Sequence, residues 1–205
     1  MLFRYFTFVS SLLVSQSSAE YLHLEDRPEL SPYQDIVSCY KKQQLVRYNL
    51  FRNYAYNPNL GHNASCFLTR QITPYENGNT TLVAHYVQNG TRKTLTWYLK
   101  GISTTGHNVG NAMEITAPSL PEDAEHVTLK AIFVDCDKCM IIRTPDIQGN
   151  GCLFMTPDPD GPIDPSCLFI YDIACSSDKY TFYDHAQCRQ DCISDASAGH
   201  FEGSR

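Results

Sequence analysis

Apolar and polar residues alternate in short runs over much of the chain, and a period of two is the mark of strands half buried against a core. The clearest pair is Thr80-Thr-Leu-Val-Ala-His-Tyr-Val87 and Lys93-Thr-Leu-Thr-Trp-Tyr-Leu99, which flank Gln88-Asn-Gly-Thr91. Asn89-Gly90 suits a type I′ hairpin turn because both residues accept positive φ. Further strands are predicted over Gln44–Tyr56, Val127–Val134, Cys139–Arg143 and Cys152–Met155. Helical signals are confined to the two ends. Ser31 is placed as an N-cap ahead of Pro32 for a helix reaching Cys39. Cys167–Cys175 fits strand or helix by periodicity, and Pro165 just ahead of it favours a helix start. Short strands between terminal helices predict an antiparallel barrel or sandwich.

The first nineteen residues follow another pattern. Arg4 precedes an apolar run from Tyr5 to Val14, and the small, polar Ser15-Gln-Ser-Ser-Ala19 follows. This predicts a signal peptide cut before Glu20; the run is too short to cross roughly 30 Å of hydrocarbon. No later segment has the length of a membrane span. Cleavage leaves 186 residues and removes one positive charge, so a net charge of -6 becomes -7. Residues 20–205 then form one domain, with a flexible tail from about 193, since no repeat, linker or low-complexity tract interrupts them. An acidic, unclustered charge argues against nucleic acid or an anionic membrane as partner.

All nine cysteines lie after the predicted cleavage point: Cys39, Cys66, Cys136, Cys139, Cys152, Cys167, Cys175, Cys188 and Cys192. In a secreted chain they are expected to form bridges, with one thiol left over. Three sequons, at Asn63, Asn79 and Asn89, sit in stretches that read as turns, and glycosylation is expected there. The protein is read as a secreted, monomeric glycoprotein.

Other constellations do not hold up as chemistry. Cys136-Asp-Lys-Cys139 has redox spacing, but it does not open a helix after a strand, and separate structural pairing of each cysteine is expected. Asp158-Pro-Asp-Gly-Pro-Ile-Asp164 lacks the register and closing Glu of a calcium loop, and reads as a proline-rich turn. The histidines are scattered, and no nucleophile elbow or phosphate loop is present. Neither catalysis nor a metal or cofactor is expected.

Cys139-Met-Ile141, eleven residues, Leu153-Phe-Met155, eleven residues and Cys167-Leu168 follow one another in a set order. Upstream, Tyr54-Ala-Tyr-Asn-Pro-Asn-Leu-Gly61 precedes Cys66, and Tyr183-Asp184 and Cys188 follow Cys175. In this order and spacing the chain resembles the tick salivary lipocalins of the histamine-binding-protein type. The resemblance implies an eight-stranded antiparallel lipocalin barrel with a short N-terminal and a C-terminal helix, able to hold one small ligand. It also implies bridges from Cys139 to Cys167 and from Cys66 to Cys188 or Cys192. Pairing of the remaining cysteines stays open.

The resemblance further implies sequestration of a small host inflammatory mediator, in evasion of host defence. Amine-binding relatives hold a cation with buried carboxylates and aromatics, and their acid positions fall here on Asn57, Lys130, Met140 and Leu153. Their tryptophan positions fall on Leu60 and Met155. None of the four acid positions is an acid. An acid-headed lipid mediator is therefore expected in preference to histamine or another biogenic amine, lined by Tyr48, Tyr54, Asn57, Lys130, Phe133, Met140, Leu153 and Met155. Two alternatives stay open: that Lys130, alternating with Leu129 and Ala131, faces solvent, and that the barrel is filled and binds proteins through its outer face and loops.

Overall fold

A computed structural model describes residues 23–42, 45–57, 64–118, 126–185 and 188. The predicted signal peptide, Leu60, Asn63, Cys192 and the tail from 193 lie outside the described residues.

Eight antiparallel strands run Val46–Arg52 (β1), Ser65–Gln71 (β2), Asn79–Gln88 (β3), Thr91–Ile102 (β4), Ala112–Thr116 (β5), Val127–Asp135 (β6), Cys139–Thr144 (β7) and Gly151–Thr156 (β8). Each pairs with the next, and β8 returns to β1 with Tyr48 opposite Thr156, so the sheet closes into the expected barrel. The predicted hairpin is β3–β4, with Asn89 at φ 51° and Gly90 at φ 70°. Two strands escape the alternation. In β2 nearly every residue is buried, and its bulge holds Cys66 at φ 54°; β5 is only five residues long.

The N-terminal helix starts later than the sequence pattern predicts. Pro28–Tyr33 forms a 3-10 turn with Pro32 inside it, and the α-helix (α1) runs Ile36–Lys41. Asp35 supplies the cap, accepting from the Ser38 amide at 3.1 Å. The Ser31 hydroxyl instead donates to the Pro28 carbonyl at 2.6 Å, inside the 3-10 turn. This helix closes one end of the barrel. Ile36 and Val37 donate their amides to the Gly110 carbonyl at 3.0 and 3.2 Å, and a Cβ at Gly110 would collide with Val37.

Pro165 does open a helix (α2), over Pro165–Ala174, with Asp164 as cap. It lies on the outer face of the barrel, where Tyr171 packs edge-on to Phe51 at 4.9 Å. The outer face of β7 and β8 is thereby buried as well as the inner one. Two cores result: one inside the barrel, and one between the barrel and α2.

Four disulfides fix this arrangement. Cys39–Cys136 ties α1 to the barrel, Cys139–Cys167 and Cys152–Cys175 clamp the two ends of α2, and Cys66–Cys188 anchors the tail. Thus Cys188, not Cys192, is the partner of Cys66, and Cys192 is the one cysteine these four bridges leave over. The two cysteines of Cys136-Asp-Lys-Cys139 pair separately. The bridges fit an oxidising, extracellular setting. No helix among the described residues is long and apolar enough to cross a membrane.

Candidate ligand-binding site

The alternating pattern turns Phe67 and Thr69 of β2, Leu82 of β3, Trp97 and Leu99 of β4, and Leu153 and Met155 of β8 into the barrel. Met113, Ile115 and Leu129 complete the wall, and Tyr40 of α1 forms the floor. Phe67 lies at the centre of an aromatic group, stacked 5.6 Å from Tyr86 and 5.8 Å from Phe182, with Trp97 tilted at 5.6 Å. The chamber these side chains leave has a volume of about 20 Å³, enough for about one water molecule.

Among the described residues, no Asp or Glu lines this chamber. The lining residues that carry polar side-chain atoms are Tyr40, Asn49, Thr69 and Trp97. Burial pushes the Tyr40 phenol up, so it stays neutral at any physiological pH. Asn49 is 2% exposed, and its Oδ1 has no hydrogen-bond partner among the described residues. A buried amide oxygen left in this way is a place for a donor from a guest molecule.

At the end of the barrel opposite α1, the Arg52 guanidinium sits 3.8 Å from the centre of the Phe182 ring and 5.0 Å from that of Tyr54. It donates to the Ala55 carbonyl at 2.8 Å, and burial lowers its pKa. Asn57 donates to the Tyr54 hydroxyl at 3.3 Å, and burial raises the pKa of that hydroxyl. The cation thus lies over two aromatic faces in a partly desolvated setting, behind the Phe182 ring of the chamber wall.

The eight residues expected to line the ligand fall into three groups. Leu153 and Met155 line the chamber, and Met140 belongs to the same inner core. Tyr54 and Asn57 lie at the Arg52 end. The other three are corrections. Tyr48 faces outward, edge-on to Tyr183 at 5.6 Å, because the β1 alternation that turns Asn49 inward turns Tyr48 out. Phe133 stacks on Tyr33 outside the barrel, since a bulge between Ala131 and Phe133 shifts the alternation and leaves Val134, rather than Phe133, against the inner core. Lys130 also faces outward, with its Nζ 2.9 Å from Asp26 Oδ1.

Sequence reasoning missed Asn49, Arg52 and Phe182. Strict alternation from Leu45 would have turned Arg47 and Asn49 inward. Nothing local signals that Phe182, far along the chain in a polar stretch, returns to the barrel. The two sequons within the described residues are at exposed turns: Asn79 opens β3 at the α1 end, and Asn89 sits in the β3–β4 turn at the other.

A sequence profile described as tick histamine binding protein matches residues 24–190. No curated protein matches the chain in a sequence search. Among solved structures, the serotonin complex of AM182 shares the fold at 14% identity and a TM-score of 0.52, over 72% of this chain and 90% of that one. Insecticyanin from the tobacco hornworm Manduca sexta shares it at 10% identity and a TM-score of 0.55, over 76% of this chain and 85% of that one. At these identities the two structures establish a common fold and nothing finer. With the profile spanning nearly all of the barrel, α2 and the tail, the chain belongs to the tick histamine-binding protein family.

Proposed function

We propose that this protein is a secreted salivary carrier that sequesters a small host mediator inside its barrel, and that the mediator is an apolar molecule with an acidic or neutral head rather than an amine. The observation that carries this reading is the chemistry of the chamber wall, in which no carboxylate is present among the described residues. A buried ammonium without a counter-charge loses about 3–5 kcal/mol, a factor of more than a hundred in affinity. The wall offers aromatic and aliphatic surface and the amide of Asn49, and the Arg52 guanidinium lies behind the Phe182 ring. A fatty acid or eicosanoid matches that set: its tail takes the apolar surface and its carboxylate faces Arg52. Sequestration is stoichiometric and asks for no catalytic machinery. The serotonin bound by AM182 makes an amine the natural comparison ligand.

The test is native mass spectrometry of the secreted protein, with organic extraction of whatever it carries, followed by thermal shifts with fatty acids, eicosanoids, histamine and serotonin. A co-purified lipid acid, or a shift with lipid acids that exceeds the shift with amines, supports the reading. An empty protein that responds to none of these ligands, or to amines alone, overturns it.

A second reading rests on a different observation. The chamber is small, and an apolar groove formed by Leu24, Leu30, Tyr33, Ile132, Phe133 and Ile170 opens on the outer surface. A protein that used this face with its interior filled would be the empty, unresponsive species in the same experiment.

A further inference from the structure

Phe182 is anomalous among the residues that line the chamber. It comes neither from a barrel strand nor from the closing helix, but from the segment between Cys175 and Cys188. Direct pairing of β1 with β2 ends at Tyr48 opposite Leu68, beyond which both strands are bulged. The tail fills the seam that opens there. Tyr180–Thr181 (β9) pairs with Arg52 and Phe51 of β1. The Phe182 amide then donates to the Leu50 carbonyl at 2.8 Å, and the Phe182 carbonyl accepts from the Cys66 amide at 2.6 Å. Phe182 thus stands as a single residue between two wall strands, with its ring thrown inward. That ring is clasped as a guest would be, stacked on Phe67 on one side and covered by the Arg52 guanidinium on the other.

We propose that Phe182 is a built-in occupant of the ligand's seat, carried on a strap that swings aside when a ligand enters. This rests on the small-molecule reading above and adds how the site is regulated. The strap is built to move without being lost. Its ends are fixed by Cys152–Cys175 and Cys66–Cys188, with twelve residues between the two anchors. Tyr180 and Thr181 are exposed and add little burial to hold it. It is attached to the wall by the short β9 pairing, the Phe182 and Tyr183 bonds to Leu50 and Cys66, and the Tyr183 ring against Tyr48, with polar contacts of Lys179 to Asp172 and of His185 to Asp160 on either side. The remaining chamber, at about 20 Å³, admits nothing larger than a water until a side chain leaves. Two lining residues stand off the eight-stranded wall, Tyr40 and Phe182; Tyr40 is held beside the Cys39–Cys136 bridge, whereas the departure of Phe182 breaks no strand of the wall and leaves Arg52 facing the vacated space. A ligand with an acidic head then exchanges a ring for a charge at the guanidinium, whereas an amine meets a cation there. The strap would therefore act as a selectivity filter as well as a plug.

An internal competitor lowers apparent affinity by the fraction of time it vacates the site. Removing a buried phenyl ring should raise affinity by about tenfold or more, given the free energy of burying a Phe side chain. The experiment titrates the full, disulfide-intact protein and its Phe182→Ala variant with a dansyl-labelled fatty acid. Phe182→Leu, which keeps an apolar side chain in the seam, serves if the Ala variant does not fold. Amide exchange of Phe182 and Cys66 is followed in the unaltered protein with and without saturating probe, a readout that needs no variant. The expected result is tighter binding by the variant and faster exchange at both amides on saturation. Equal affinities with unchanged exchange overturn the plug and leave the small-molecule reading standing. Failure of all the proteins to bind the fatty acid, with amines equally silent, overturns that reading and the plug with it.

Discussion

Arg143 Nε lies 2.6 Å from Glu25 Oε1, with both side chains nearly inaccessible to solvent, so a charge pair locks the N-terminal segment against the outside of the barrel. The second guanidinium nitrogen reaches Glu25 Oε2 at 3.3 Å, and the same group donates to the Asn150 and Ala174 carbonyls at 3.2 and 3.0 Å. One side chain thereby joins four parts of the chain: the start of the described residues, β7, the β7–β8 turn and the end of α2. Removing one partner leaves the other charge buried and uncompensated. Glu25→Gln is expected to lower the unfolding free energy by about 3–5 kcal/mol, read from urea denaturation of the oxidised protein. Replacing both residues with apolar ones, Glu25→Leu with Arg143→Met, should recover much of that loss.

Asp164 gives the protein an acid-sensitive helix cap. Its Oδ1 accepts from the Ser166 amide at 2.9 Å and from the Ser166 hydroxyl at 2.5 Å, and Lys138 Nζ lies 3.1 Å from Oδ2. The Ser166 bonds, then Lys138, pull the carboxyl down to about 2, against about 3.9 in an unfolded chain. A depressed pKa stabilises the fold in full above the unfolded value, and the contribution is lost as pH falls from about 4 towards 2. Asp164→Asn keeps a capping oxygen but does not titrate. The melting temperatures of the two proteins should therefore differ most above pH 4 and converge towards pH 2, and a difference that stays constant over that range would rule out the cap's role.

What could be read in the sequence followed the regularity of each segment. The β3–β4 hairpin was legible because Asn89-Gly90 and ten paired positions obey one rule without interruption. Leu153 and Met155 were legible as lining through the resemblance, which carries an acid position onto one and a tryptophan position onto the other, while β8 itself is buried on both faces and shows no alternation. Phe133 was not, because a one-residue bulge in β6 exchanges inside for outside, and a bulge leaves no composition signal. The Cys66–Cys188 and Cys139–Cys167 bridges came from the resemblance alone. Phe182 was hidden because its place depends on a bridge 122 residues long and on a seam between two bulged strands, both of them properties of the folded chain.

Lys130 offers a test that separates the outer face from the interior. Its ammonium sits on Asp26 at 2.9 Å, on the outer side of β6, and the pair is partly exposed. Such a pair contributes about 0–1 kcal/mol. Lys130→Met should leave the affinity for fatty acids unchanged and shift stability by no more than that. Arg52→Met, in contrast, should weaken acid-headed ligands by about tenfold or more relative to their neutral alcohols. Isothermal titration of both variants with a fatty acid and the matching alcohol decides this. A loss of the acid preference in the Lys130 variant would return the binding charge to the outer face.

Asn49 predicts opposite effects on stability and on binding. Its side chain is nearly as long as leucine's, it lies among Phe67, Leu153 and Met155, and its Oδ1 is buried without a hydrogen-bond partner among the described residues. Leaving a buried acceptor unsatisfied costs about 1–3 kcal/mol, and asparagine is also a poor strand former. Asn49→Leu should accordingly raise the stability of the ligand-free protein by about 1 kcal/mol, a gain in the middle of a core where most substitutions lose. If the amide is retained because a guest donates to it, the same variant should bind that guest several-fold more weakly. Thermal denaturation with and without a hydroxylated fatty acid reads both effects in one experiment. The unliganded curve should move up, and the ligand-induced shift should shrink. A variant that is less stable when empty would mean that the amide is satisfied inside the chamber, with a water as its partner.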